Sequence, residues 1–313
     1  MKILALVLAG GEGKRLHPLT AEHAKPAVPF VNGFRIIDFV LSNLVNSKIS
    51  TIYVLAQYKP HSLAKHIAAL WEPRLTDPSS RIQLVLPRSA SPGQKYQGTA
   101  DAVYQNRHLI DRHQPELVAV FAADHIYRMD VQQMAAFHLR RRADVTVAAV
   151  RVPIEKASSF GVIAADTDGR IREFHEKPQR PAPMSTDPTW AYASMGNYLF
   201  DPDALVTLLD AARRNGGTDF GLDVMPTLPR CSRSFAYDFT SNRVPGVQPY
   251  EETAYWRDVG TINALQAAQG DVAGFQPRFD LWNPWWPIRS EGHAELLTKL
   301  RNGTAARVEL ANS

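Results

Sequence analysis

The 313-residue sequence contains a single cysteine, Cys231. An intramolecular disulfide is therefore impossible, zinc sites built from two or more cysteines of one chain are excluded, and a reducing, cytoplasmic setting fits best. Long hydrophobic runs are also missing. The apolar start, MKILALVLA, is too short to span a bilayer and leads into GGEGKR rather than a small-residue cleavage site, so neither membrane anchoring nor secretion is expected. Charge of one sign is scarce as well: 35 basic residues against 31 acidic ones leave a formal +4. That modest excess suits an anionic ligand and gives no basis for a nucleic-acid partner. The 10 histidines show no HExxH or related metal spacing. No solenoid-type repeat is present. What is there is ordinary globular composition, 45% hydrophobic and 21% charged, on a chain able to bury about three quarters of its unfolded surface.

Residues 3–9 form a short, continuous apolar run closed by two glycines, the pattern of a strand buried on both faces. Ile36, Ile37, Phe39, Val40, Leu44 and Val45 then recur at helical spacing, and 51–56 (TIYVLA) reads as a second buried strand. The alternation continues with a helix through Leu63, Ile67 and Leu70, a strand over 82–86, a helix over 100–110 with Thr99 as N-cap, and a strand over 117–123. A helix over 129–142 and a strand over 145–150 follow; the basic run 140–142 at that helix's end complements its dipole. Such alternation predicts an α/β fold with a mostly parallel sheet covered by helices on both faces. Later, 162–165 and 171–175 flank Asp168-Gly169, which predicts a hairpin and hence a mixed sheet. Pro178, Pro181, Pro183 and Pro188 mark an exposed loop, and helices are expected over 203–214 and 261–269.

The segment LVLAGGEGKRL (6–16) places Gly10, Gly11 and Gly13 directly after the first strand. Backbone N–H groups in such a loop can surround phosphate oxygens, with Lys14 and Arg15 adding positive charge. Leu16 stands where a dinucleotide fingerprint needs its third glycine, and Arg15 where a P-loop needs Ser or Thr. Taken alone, the loop is either a phosphate cradle or simply a turn.

A longer series of motifs bears on that choice. The loop, AKPAVPF (24–30), FRIIDF (34–39), GTADAV (98–103), DHIY (124–127), FGV (160–162), EKP (176–178), SMGNYLF (194–200) and YWRDVGT (255–261) occur in the order and spacing of the bacterial glucose-1-phosphate adenylyltransferases, or ADP-glucose pyrophosphorylases. From residue 1 to about 289 the chain resembles that family. The resemblance implies a Rossmann-like nucleotide-sugar pyrophosphorylase fold and transfer of an adenylyl group from ATP to glucose 1-phosphate, the first step of bacterial glycogen synthesis. It implies Mg2+ held by Asp124 and Asp258, and Arg15 and Lys25 as cations on the triphosphate. Leu8, Ala9, Gly10, Gly11, Gly13, Tyr96, Gly98 and Thr99 match the nucleotide site. Gly161, Glu176, Lys177, Ser194, Asp219 and Trp256 match the sugar-phosphate site, although Trp256 is equally suited to the core. Trp282, Trp285 and Trp286 resemble the family's interdomain segment and are expected to pack.

The nucleophile implied by that reaction is already an anion, so charge neutralisation and alignment are the chemical problem. Magnesium suits it, since it bridges phosphate oxygens while held by one or two carboxylates. Three departures from the family stand out. Residues 86–96 (LPRSASPGQKY) are shortened and lack the family's glutamine pair, and Lys95 replaces its tryptophan. Glu22 and His23 replace basic positions of activator-regulated members. The 290–313 segment is polar, is expected to be poorly ordered, and is too short for the family's left-handed β-helix. The catalytic domain and its exit segment are thus expected over 1–289. A homo-oligomer is compatible with the sequence, but the family tetramer is without its β-helix support. The same chemistry with another nucleotide or sugar 1-phosphate, and a catalytically idle regulatory paralogue, stay open as alternatives.

Overall fold

The structure, a computed structural model of the chain, describes residues 1–72, 80–87 and 95–290. Strands β1 (Ile3–Ala9), β2 (Thr51–Ala56), β3 (Arg81–Val85), β4 (Leu117–Ala122), β6 (Val145–Pro153), β9 (Trp190–Phe200) and β10 (Ser234–Asp238) build one sheet in the order β10-β6-β9-β4-β1-β2-β3. The hairpin of β7 (Gly161–Ala165) and β8 (Ile171–Glu176) joins it through β9. A separate antiparallel ribbon pairs β5 (His125–Tyr127) with β11 (Trp256–Asp258). β9 runs antiparallel to both β4 and β6, while β1 to β4 are parallel, so the sheet is mixed as expected.

The continuous apolar character of β1 follows from its place in the middle. Ile3, Ala5, Val7 and Ala9 enter one core cluster, and Leu4 and Leu6 enter the other. The first face is covered by α1 (Ile36–Asn46), α2 (Pro60–His66) and α5 (Val131–Arg141), through Val40, Leu44, Leu63 and Met134. The second is covered by α3 (Thr99–Gln105), α4 (His108–His113), α6 (Pro202–Arg214) and α7 (Leu228–Cys231), through Val103, Leu109, Leu205 and Leu228. A third cluster, including Leu16, Phe30, Phe34 and Phe39, joins the segment after the glycine loop to α8 (Ile262–Asp271) and to Phe279. No helix among the described residues is long and apolar enough to cross a membrane.

Three expectations need correction. The helix predicted over 100–110 is two helices, broken where the Asn106 side chain donates to the Ala102 carbonyl at 2.8 Å and to the Tyr96 hydroxyl at 3.0 Å. Thr99 is the first helical residue rather than the N-cap; Gly98 is the cap. Its hydroxyl instead donates to Asp219 Oδ2 at 2.9 Å and accepts from the Phe220 N–H at 2.8 Å. Of the three late tryptophans, Trp282 stacks edge-on against Phe34 and Trp286 is buried, but Trp285 is 73% exposed. The longest strand, β9, alternates buried and more exposed positions from Trp190 to Gly196 and is buried from Asn197 to Phe200, across an irregularity in its pairing with β6. The expected tail beyond residue 290 lies outside the described residues, as does 88–94 of the altered loop.

Candidate active site

Loops from two adjacent parallel strands meet at the carboxyl edge of the sheet, where open α/β folds bind ligands. The glycine loop follows β1, and Asp124 follows β4. The β5–β11 ribbon then sets His125 opposite Asp258. One side-chain ligand atom each from Asp124, His125 and Asp258 lies within 4.8 Å of the others. Two carboxylates and an imidazole are a donor set that a divalent cation accepts. The Lys25 ammonium donates to Asp124 Oδ2 at 2.7 Å, and His125 Nε2 stands 3.4 Å from Asp124 Oδ1. Burial opposes ionisation of Asp124, but the charges of His125 and Lys25, with the Lys25 hydrogen bond, outweigh it and hold the carboxyl below the usual range.

Arg15 comes to the same point from the other side. A Cβ built on Gly260 would lie 2.9 Å from Arg15 Nη2 and 3.0 Å from Asp258 Oδ1, so the guanidinium and the carboxylate flank one glycine. Gly13 has φ +70°, and a Cβ there would lie 3.0 Å from Lys25 Cβ; the glycine loop thus folds directly onto the lysine. Gly11 faces open space.

A cleft of about 260 Å3 runs from this charged cluster to the β7–β8 hairpin. Leu8, Arg15, Asp124 and Asp258 line one end, and Gly161, Glu176, Lys177, Ser194, Thr99 and Asp219 line the other. Glu176 sits under two close backbone approaches. A Cβ at Gly161 would come 2.9 Å from Glu176 Oε2, and one at Gly221 would come 2.7 Å from it. Lys177, at φ 46°, turns back so that its ammonium lies 3.1 Å from Glu176 Oε1. Asp219 is held by Thr99 on one oxygen and by the Leu222 N–H on the other, at 2.9 and 3.2 Å. Ser194 Oγ accepts from the Gly196 N–H at 3.2 Å.

Other candidates sit beside the cleft rather than in it. Tyr96 is buried beneath the sheet, and its hydroxyl is occupied by Asn106; its backbone N–H donates to Gln57 Oε1 at 2.8 Å. Gln57 Nε2 in turn donates to the Gly10 carbonyl at 3.0 Å, so one side chain ties the glycine loop to the Tyr96 segment. Gly98 packs against the Thr218 backbone, and Ala9 is buried at the end of β1. Trp256 is buried with its ring 4.8 Å from His125 and 5.5 Å from Phe160. It lines a neighbouring cleft of about 1210 Å3 that also includes Arg15 and Asp258. Sequence reasoning passed over His125 and Gln57. His125 was open to notice as the neighbour of Asp124 in DHIY; Gln57 carries no local signal.

A family model described as nucleotidyl transferase matches residues 4–274. A glucose-1-phosphate adenylyltransferase of Thermodesulfovibrio yellowstonii is 48% identical over 303 residues, covering 96% of this chain and 74% of that protein. The proteins of the same name from Mycobacteroides abscessus and Thermus thermophilus are 47% and 46% identical, over 97% and 98% of this chain and 76% of each relative. This chain spans about three quarters of the length of these relatives.

Proposed function

The chain belongs to the glucose-1-phosphate adenylyltransferases within the nucleotidyl transferase family, and we propose that its cleft joins the adenylyl group of ATP to glucose 1-phosphate. A phosphate oxygen of the sugar phosphate attacks the α-phosphorus of ATP, the bond to the bridging oxygen breaks, and pyrophosphate leaves. Because the attacking oxygen is already anionic, no general base is needed. The work left to the protein is to gather several negative charges and hold them in line.

The observation that carries this reading is the distribution of charge along one cleft. Lys25, Arg15, Asp124 and Asp258 converge at one end, and Glu176 and Lys177 stand at the other. Asp124 and Asp258 would hold Mg2+, with His125 at their side; the ion would neutralise phosphate oxygens around the reacting phosphorus. Lys25 and Arg15 would bind the triphosphate, and the N–H groups of the Gly10–Gly13 loop would close around it. Glu176 would accept hydrogen bonds from glucose hydroxyls while Lys177 binds the sugar's phosphate. Ser194 and Asp219 would complete the sugar pocket. Incubating the purified chain with Mg2+, ATP and glucose 1-phosphate should release pyrophosphate and form ADP-glucose. No release from the folded protein would overturn the proposal.

A further inference from the structure

The opposite edge of the sheet holds a second charged cavity, which the reaction above does not use. It lies where β1, β2 and β3 begin, about 20 Å of strand away from Asp124. Its volume is about 350 Å3, and Lys2, Lys48, Ser50, Thr51, Arg81 and His113 line it, with no carboxylate side chain among its described lining residues. Among the described residues, neither Lys48 nor Arg81 forms an ion pair with a carboxylate, and Ser50 and Thr51 add hydroxyls to the lining. The acid at the rim, Glu116, accepts from the Lys2 backbone N–H at 2.8 Å, and the Lys2 ammonium donates to the His113 carbonyl. His113 Nε2 bonds the Tyr53 hydroxyl at 2.8 Å, and Arg81 Nη1 lies 3.5 Å from the same hydroxyl.

Cations gathered around a hollow whose described lining holds no carboxylate repel one another, and an anion with several oxygens relieves that repulsion better than separate small counterions. We propose that this cavity is a second anion site, which takes phosphate or the phosphate group of a monoester through Lys48, Arg81 and Lys2. The electrostatic state of His113 agrees with an unneutralised cavity: burial first, then the charges of Arg81, Lys2 and Arg112, push its imidazole below the ordinary value. One strand links the two ends of the sheet: β2 carries Thr51 at this end and is followed at the other by Gln57, which holds Gly10 and the Tyr96 segment.

His113 is the reporter for the test. The full chain, labelled with 13C at its histidines and with His113 assigned by His113→Gln, is titrated with pH by NMR in sodium chloride and in sodium phosphate of equal ionic strength. Phosphate in the cavity should raise the His113 pKa by about half a unit or more, saturably. The rise should be lost in Lys48→Ala/Arg81→Ala and weakened in the single Lys48→Ala, whose exposed position makes it safe for folding. Binding at the catalytic cleft would leave His113 unmoved, so the two sites are read separately. The proposal is overturned if both salts give the same His113 titration, if the shift never saturates, or if it persists in the double variant.

Discussion

Lys25 and Asp124, 99 residues apart in the chain, meet at 2.7 Å. The lysine side chain is only 11% exposed and the aspartate 34%, so the pair is stronger than a surface ion pair while the carboxylate stays accessible from the cleft. Pro26 follows the lysine inside a short 3-10 turn, which limits how far the cation can stray. The acid is thereby kept ionised, as a metal ligand must be, and the cation is held where a phosphate would arrive.

Asp124→Asn keeps the shape of that side chain and removes its charge. Pyrophosphate release should fall by about 100-fold or more, while the thermal midpoint moves by only a few degrees. Steady-state assays beside circular dichroism melting check both halves; retained turnover would remove Asp124 from the reaction.

Glu176 lines the cleft at the end of β8, in the part we assign to the sugar phosphate. Replacing it by Gln should raise KM for glucose 1-phosphate by about tenfold and leave KM for ATP nearly unchanged, as expected when a charged hydrogen bond to one substrate is weakened. An equal effect on both substrates would count against this assignment.

Two glycines separate a packing role from a loop role. At Gly98 a Cβ would lie 2.4 Å from the Thr218 carbonyl oxygen, so Gly98→Ala should cost about 1–3 kcal/mol in urea unfolding. At Gly11 nothing lies within 4 Å, and Gly11→Ala should leave unfolding unchanged. Its effect should appear instead as a higher KM for ATP, since the methyl group would stand where phosphate approaches.

His138 supplies a pH dependence unrelated to catalysis. It is buried against Thr146, and that burial, only partly offset by Asp201 and Asp144, pushes its pKa down to about 4 from 6.5. Between those values the unfolded chain binds a proton that the folded chain refuses, so folding stability falls as pH drops from 6.5 to 4. The contribution, fully present above 6.5, is about 3 kcal/mol at its limit. Chemical denaturation across this window should show a shallower slope for His138→Asn than for the parent protein.

Much of this could be read along the chain. β1 and β2 fall where short apolar runs place them, and α1 and α6 where helical spacing does, because burial on both sheet faces or on one helix face imprints a local period. The cleft residues Glu176, Lys177, Ser194, Asp124 and Asp258 stood out as an ordered set of motifs. Thr99 did not behave as its type suggested: its hydroxyl is drawn to Asp219 and Phe220, 120 and 121 residues away, rather than to its own helix. The path of β9 was equally hidden. Its buried positions in the first half are Ala191, Ala193 and Met195, and the small alanine side chains leave only a faint apolar period in the sequence.

The sequence alone therefore established the α/β class, the buried central strands and the inventory of charged motifs, since each rests on periodicity or on short runs of residues. Tertiary structure was needed to bring His125 opposite Asp258, to join Lys25 to Asp124, and to span Gly10 and Tyr96 with Gln57. Strand pairing and loop approach bring together residues dozens to more than a hundred positions apart, and no local pattern records which partners will meet.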